Sequence, residues 1–153
     1  MVNYPPSKQI EHIAQSLQAG KIVYYHKKTG EILKYPQGFE DWLMDDEENP
    51  FQDVLDKVEA NSEDYVEIEP MPSREAYDIM KQFAEEKIDD PTIKLLAMDR
   101  LTGPKPFRRF KDLVEYSDYR EEWFAFRQKA HEEYVRRILD LELGEDDFED
   151  DTE

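Results

Sequence analysis

The chain has 153 residues, no cysteine and a formal net charge of −18. That length suits one domain able to bury a core without covalent staples, and the missing cysteines exclude disulfides, thiolate metal sites and a cysteine nucleophile. The negative balance disfavours tight binding to nucleic acid or anionic lipid, because both rest on neutralising phosphates.

The elements follow in chain order. Ser7 is expected to cap a first helix, with Ile10, Ile13, Ala14 and Leu17 at helical spacing and Gly20 at its stop. Two β-rich runs, Ile22 to His26 and Glu31 to Tyr35, flank a loop ending in Gly30 and predict a hairpin closed off by Pro36. Phe39, Trp42 and Leu43 predict a brief helical turn. Asn49 followed by Pro50 and Gln52 predicts a capped second helix with Phe51, Val54, Leu55 and Val58 on one face. Tyr65 to Glu69 alternates as a strand, Val66 and Ile68 on one side, and is expected to pair with the hairpin.

Ser73 is expected to cap a third helix carrying Ala76, Tyr77, Met80, Phe83, Ala84 and Ile88, and Asp90 with Pro91 a fourth that ends at Gly103. Phe107 is expected to start a fifth with Phe107, Phe110, Leu113 and Val114 inward. Asp118 is expected to cap the longest helix, with Trp123, Phe126, Ala130, Tyr134, Ile138 and Leu141 on one stripe. The predicted fold class is α+β: a small three-stranded antiparallel sheet, made of the hairpin plus one strand, packed with five to six helices. Residues 1–143 are expected to form a single α+β domain. Residues 144–153, with seven acidic side chains and no cation, are expected to be a disordered acidic tail.

Several segments together resemble one family: Tyr24-Tyr25 with Thr29-Gly30-Glu31, Tyr65 to Pro70 running into Ser73-Arg74-Glu75 and Met80 to Phe83, and Pro106-Phe107-Arg108-Arg109-Phe110-Lys111-Asp112 followed by Trp123-Phe124-Ala125-Phe126-Arg127. They resemble, over roughly residues 7–142, the bacterial proteins grouped as uncharacterised protein family 0158. The resemblance implies a bacterial cytoplasmic protein and, since the family has no established activity, no mechanism.

The charge is unevenly placed. Residues 38–90 carry four Lys/Arg against nineteen Asp/Glu, whereas residues 91–139 carry eleven against eight. Within that second block Arg108 and Lys111 are expected to point away from the core, Arg109 to sit on the flank, and Arg127 to project within the apolar stripe of Trp123. A guanidinium there must be paired or reach water, and Glu75, Asp78 or Asp112 could supply the carboxylate as a structural ion pair. The alternative is an anion or partner site built from Arg108, Arg109, Lys111, Trp123 and Arg127. Interleaved arginines and aromatics also stack bases, but the surrounding charge disfavours nucleic acid.

His12, His26 and His131 have no metal-ligand spacing, and no phosphate loop or nucleophile motif is present. No metal, no cofactor and no catalytic residue is therefore expected. No segment near Met1 has the apolar core of a signal peptide and no apolar run is long enough to span a bilayer, so the expected location is cytoplasmic. The function expected from these features is a non-enzymatic cytosolic interaction or regulatory module that binds another protein through a basic-aromatic face. The alternatives are a weak nucleic-acid-associated protein and an enzyme with an unrecognised carboxylate–arginine pocket.

Overall fold

The computed structural model describes the backbone of residues 3–151 and the side chains of residues 3–144. Within the span read as one domain lie two compact units, Met1–Pro70 with His131–Glu153, and Met71–Ala130. Their elements are α1 (Ser7–Gln18), β1 (Lys21–His26), β2 (Ile32–Pro36), a 3₁₀ turn (Phe39–Trp42), α2 (Gln52–Ala60), a second 3₁₀ turn (Ser62–Asp64), β3 (Tyr65–Ile68), α3 (Ser73–Glu86), α4 (Pro91–Thr102), α5 (Pro106–Glu115) and α6 (Arg120–Asp151). The fold is α+β, with three antiparallel strands in one open sheet and six helices among the described residues. The expected tail falls mostly beyond the described side chains, and residues 152–153 lie outside the described residues. Among the described residues no helix is long and apolar enough to cross a membrane.

In the first unit the strand order is β2-β1-β3. The register pairs Ile22 with Tyr35 and Tyr24 with Leu33, and on the other side Val23 with Ile68 and Tyr25 with Val66. Because successive strand residues alternate faces, this register sorts the sheet into two apolar sides. One side gathers Tyr24, Tyr35 and Tyr65 with Ile22 and Leu33, covered by Phe39, Phe51 and the α2 residues Val54, Leu55 and Val58. The other presents Val23, Tyr25, Val66 and Ile68, all nearly fully buried, while α1 packs against β1 with Ile10, Ile13, Ala14 and Leu17 buried. Burying each such side chain contributes about 1.5–3 kcal/mol, which a bare hairpin lacks.

The hairpin loop explains one glycine and one histidine. Gly30 sits at φ 78°, a region that a Cβ disfavours, and its N–H donates to the His26 carbonyl at 2.9 Å. His26 Nδ1 accepts the N–H groups of Lys28 and Thr29, each at 3.1 Å. The histidine thus holds the turn.

The second unit is a helical cluster. Met80, Phe83 and Ala84 of α3, Ala97 and Leu101 of α4, Phe110 and Val114 of α5, and Ile88 and Trp123 form one buried core. Asp90 caps α4 as expected, its carboxylate accepting from the N–H groups of Thr92 and Ile93. The Tyr77 hydroxyl donates to the Leu101 carbonyl at 2.8 Å and locks α3 to the end of α4.

Several expected boundaries shift. Ser7 and Ser73 are first helical residues, with Pro6 and Pro72 at the caps; the Pro6 carbonyl accepts from Gln9 and Ile10 and opens α1 itself. Asn49 does not cap a helix starting at Pro50. Its side-chain oxygen accepts the Phe51 N–H at 2.9 Å and makes a turn, so α2 starts at Gln52. Ser117, one residue before the expected Asp118, accepts the Tyr119 N–H at the entry to α6. Phe107 is 41% and Leu141 65% exposed rather than inward. On α6 the buried positions are Trp123, His131, Tyr134, Val135, Leu139 and Leu143. Ile138, Leu139, Leu141 and Leu143 spread round the circumference at 100° per residue, so apolar content alone left the phase open.

Candidate functional site

The arginine-rich site is built on α5 of the second unit. Lys105 precedes the helix in the left-handed region, φ 50°, and Pro106 takes its first position. Phe110 and Val114 turn into the core, which fixes the opposite arc at 100° per residue. Arg108 lies on that arc with Asp112 one turn further on, and Lys111 lies at its edge; all three are exposed. The first turn of α5 contains no acidic residue. Its two arginines therefore add to the positive end of the helix dipole rather than offsetting it.

The adjacent Arg109 is half-buried and occupied. Its Nη1 donates to the Pro104 carbonyl at 3.4 Å, and Nη2 lies 3.8 Å from Asp99 Oδ2, which also holds Arg100 Nη1 at 3.0 Å. The guanidinium lies directly over Gly103, in the space that a Cβ there would need.

Trp123 is 5% exposed and belongs to the core. Its ring meets Phe83 and Phe110 edge-on, each at 5.2 Å. The Phe110 contact shows that α5 and the start of α6 pack together, while the burial removes Trp123 from any exposed face. Phe126 completes the cluster, 5.3 Å from Phe83. Phe124, a quarter-turn from Trp123, is 37% exposed and carries the Arg120 guanidinium at 5.2 Å from its ring centroid.

Arg127 is half-buried. Burial pushes its guanidinium below the ordinary arginine range, and the nearby carboxylate of Glu115 partly opposes that shift. Glu115 was not among the sequence candidates. Glu75 is half-buried on α3, whereas Asp78 and Asp112 are exposed. The Oε2 atom of Glu115 is buried and has no hydrogen bond among the described residues. No sequence signal marks Glu115, because it differs from the chain's other carboxylates only in where α5 ends.

The five candidate residues therefore divide. Arg108 and Lys111 face solvent together, next to the partly exposed Phe107. Arg109 is held by Asp99, Arg127 lies beside Glu115, and Trp123 is buried. Tyr116, just past α5, is 92% exposed and was not among the sequence candidates for the face.

No curated protein and no solved structure matches the chain. One family does, over residues 7–151, nearly the whole length, and it carries the segments that hold both the hairpin and the α5 arginines. On that match the chain belongs to the uncharacterised protein family UPF0158.

Proposed function

We propose that this chain is a non-enzymatic module of the bacterial cytoplasm that binds an acidic segment of another protein through the outer face of α5. The observation that carries this reading is Arg108 and Lys111, exposed on one side of α5 beside Phe107, with no ion-pair partner among the described residues. Two cations on one side of a partly exposed ring suit a segment of Asp or Glu with an apolar residue among them. The overall charge of −18 opposes such a partner at low salt. At physiological ionic strength the Debye length is about 8 Å, and the local face governs. Nucleic acid loses one support, since Trp123, the ring expected among the arginines, is in the core.

The test is a titration at physiological salt with a labelled acidic peptide containing one Leu, against a single-stranded oligonucleotide of equal charge. The peptide is expected to bind the wild type, and Arg108→Glu with Lys111→Glu to weaken it by roughly tenfold or more. Unchanged affinity in the double variant, or tighter binding of the oligonucleotide, contradicts the proposal.

A further inference from the structure

Trp42 and Met44 are 83% and 71% exposed, apolar side chains left in water on either side of Leu43. Leu43 lines an open cavity of about 640 Å³, together with Glu40, Glu47, Glu48, Asn49, Gln52, Asp53 and Leu55. Four of these eight side chains are carboxylates and none is a cation.

The walls are built rather than loose. The Tyr35 hydroxyl donates to Glu40 Oε2 at 2.7 Å and accepts from Asn49 Nδ2 at 3.0 Å, tying both sides of the cavity to β2. That donated bond holds the Glu40 carboxyl below its ordinary range, so it is anionic at neutral pH. Phe39 and Phe51 stack edge-on behind them, 5.0 Å apart. The turn carrying Met44 is closed from both directions: Glu47 Oε1 accepts the Met44 N–H at 2.8 Å, and the Glu47 N–H donates to the Met44 carbonyl at 3.0 Å.

Among the described residues no three acidic or histidine side chains converge closely enough to hold a metal ion. The negative charge is spread along the cavity instead of focused on a point. Carboxylates spread round Leu43 and Leu55, with Trp42 and Met44 exposed one residue to either side of Leu43 in the chain, match cations spread along a segment that carries apolar residues of its own.

We infer that this surface of the first unit docks a cationic amphipathic segment of a partner protein, with Lys or Arg against Glu40, Glu47, Glu48 and Asp53 and apolar side chains against Leu43, Trp42 and Met44. It is independent of the α5 face, which lies in the other unit and takes the opposite charge, so either reading can fail alone.

The experiment titrates the full chain with a labelled helix-forming Lys/Leu peptide, with a Lys/Ser peptide of equal charge as comparison. Three variants accompany it: Glu48→Lys with Asp53→Lys, Trp42→Ala with Met44→Ala, and Glu85→Lys with Glu86→Lys. The last has the same net charge as the first but is altered on the exposed side of α3, and circular dichroism checks that all three fold. The Lys/Leu peptide is expected to bind, to lose roughly tenfold or more in each of the first two variants, and to be little affected in the third. Equal binding of the Lys/Ser peptide, or equal loss in the Glu85 and Glu86 variant, overturns the proposal by reducing it to bulk charge. Self-association of the wild type that the Glu48 and Asp53 variant abolishes also overturns it, by assigning the surface to a second copy of the chain.

Discussion

Arg108 and Arg109 are neighbours in sequence and do different work. The helix turns one to water and lays the other across Gly103. Gly103 has φ −105°, a conformation open to any residue, so its backbone does not require glycine. What its missing Cβ provides is room for the Arg109 guanidinium. Gly103→Ala is therefore expected to expel that guanidinium from Asp99 and Pro104. The cost is small, because the displaced group is the end of a flexible side chain, its ion pair is partly exposed and exposed pairs contribute about 0–1 kcal/mol. Alanine also lowers the entropy of the unfolded chain, which contributes about 0.4–1 kcal/mol in the other direction. The unfolding free energy of Gly103→Ala, read from its urea transition, is expected to lie within about 1 kcal/mol of wild type. A loss well beyond that would show that Arg109 holds α4 to α5 more firmly than an exposed pair can.

Among the elements, the tie between the hairpin, α2 and β3 runs through one carboxylate. Glu31 accepts from Lys57 Nζ at 2.7 Å and from the Tyr65 hydroxyl at 2.9 Å. Those two bonds, lysine's first, hold the Glu31 carboxyl below its ordinary value of 4.5. Burial, and then the bond to Glu31, pushes the Tyr65 hydroxyl from 10.0 up to about 12. The signs set a window. Glu31's contribution is present above 4.5 and is lost as pH falls through its lower folded value. Tyr65's is complete below 10 and is lost as pH rises toward 12, because the unfolded chain sheds that proton first. Glu31→Gln is expected to cost about 1 kcal/mol at neutral pH, discounted for the exposure of the pair. It should also bring the Tyr65 titration, followed by tyrosinate absorbance, back toward 10. A Tyr65 titration unmoved by the substitution would mean that burial alone sets it. Much of this level was legible in the sequence. The hairpin, the alternation of Val66 and Ile68 and the cap at Asp90 depend on local chemistry, which spacing records. The start of α2 was not, because Asn49 serves a turn as readily as a helix cap. Nor was the phase of α6, where Leu141 and Leu139 are equally apolar and only tertiary packing chooses between them. At the candidate site, the outward direction of Arg108 followed from helical geometry. The burial of Trp123 did not, since a large ring beside arginines suits a core and a binding face equally well.

For the molecule as a whole, self-repulsion is the dominant electrostatic effect. The chain has 38 carboxylates against 20 Lys and Arg. The ion pairs Lys28–Asp64, Lys57–Glu31, Arg100–Asp99 and Arg109–Asp99 are all partly exposed, so each is worth little. Added salt screens both effects at once, shortening the Debye length from about 30 Å at 0.01 M to about 8 Å at 0.15 M. Long-range repulsion among many carboxylates is cut over that range. A pair in contact at 2.7–3.8 Å lies well inside either length and loses less. Stability is therefore expected to rise with salt, by tenths of a kcal/mol up to about 1 kcal/mol. Sodium chloride is the salt to use, because sulfate strengthens apolar burial in its own right and would blur the cause. The measurement is the urea midpoint at the two ionic strengths. A midpoint that falls as chloride is added would mean that the contact pairs outweigh the net charge of −18, and that the carboxylates of this chain stabilise its fold more than they strain it.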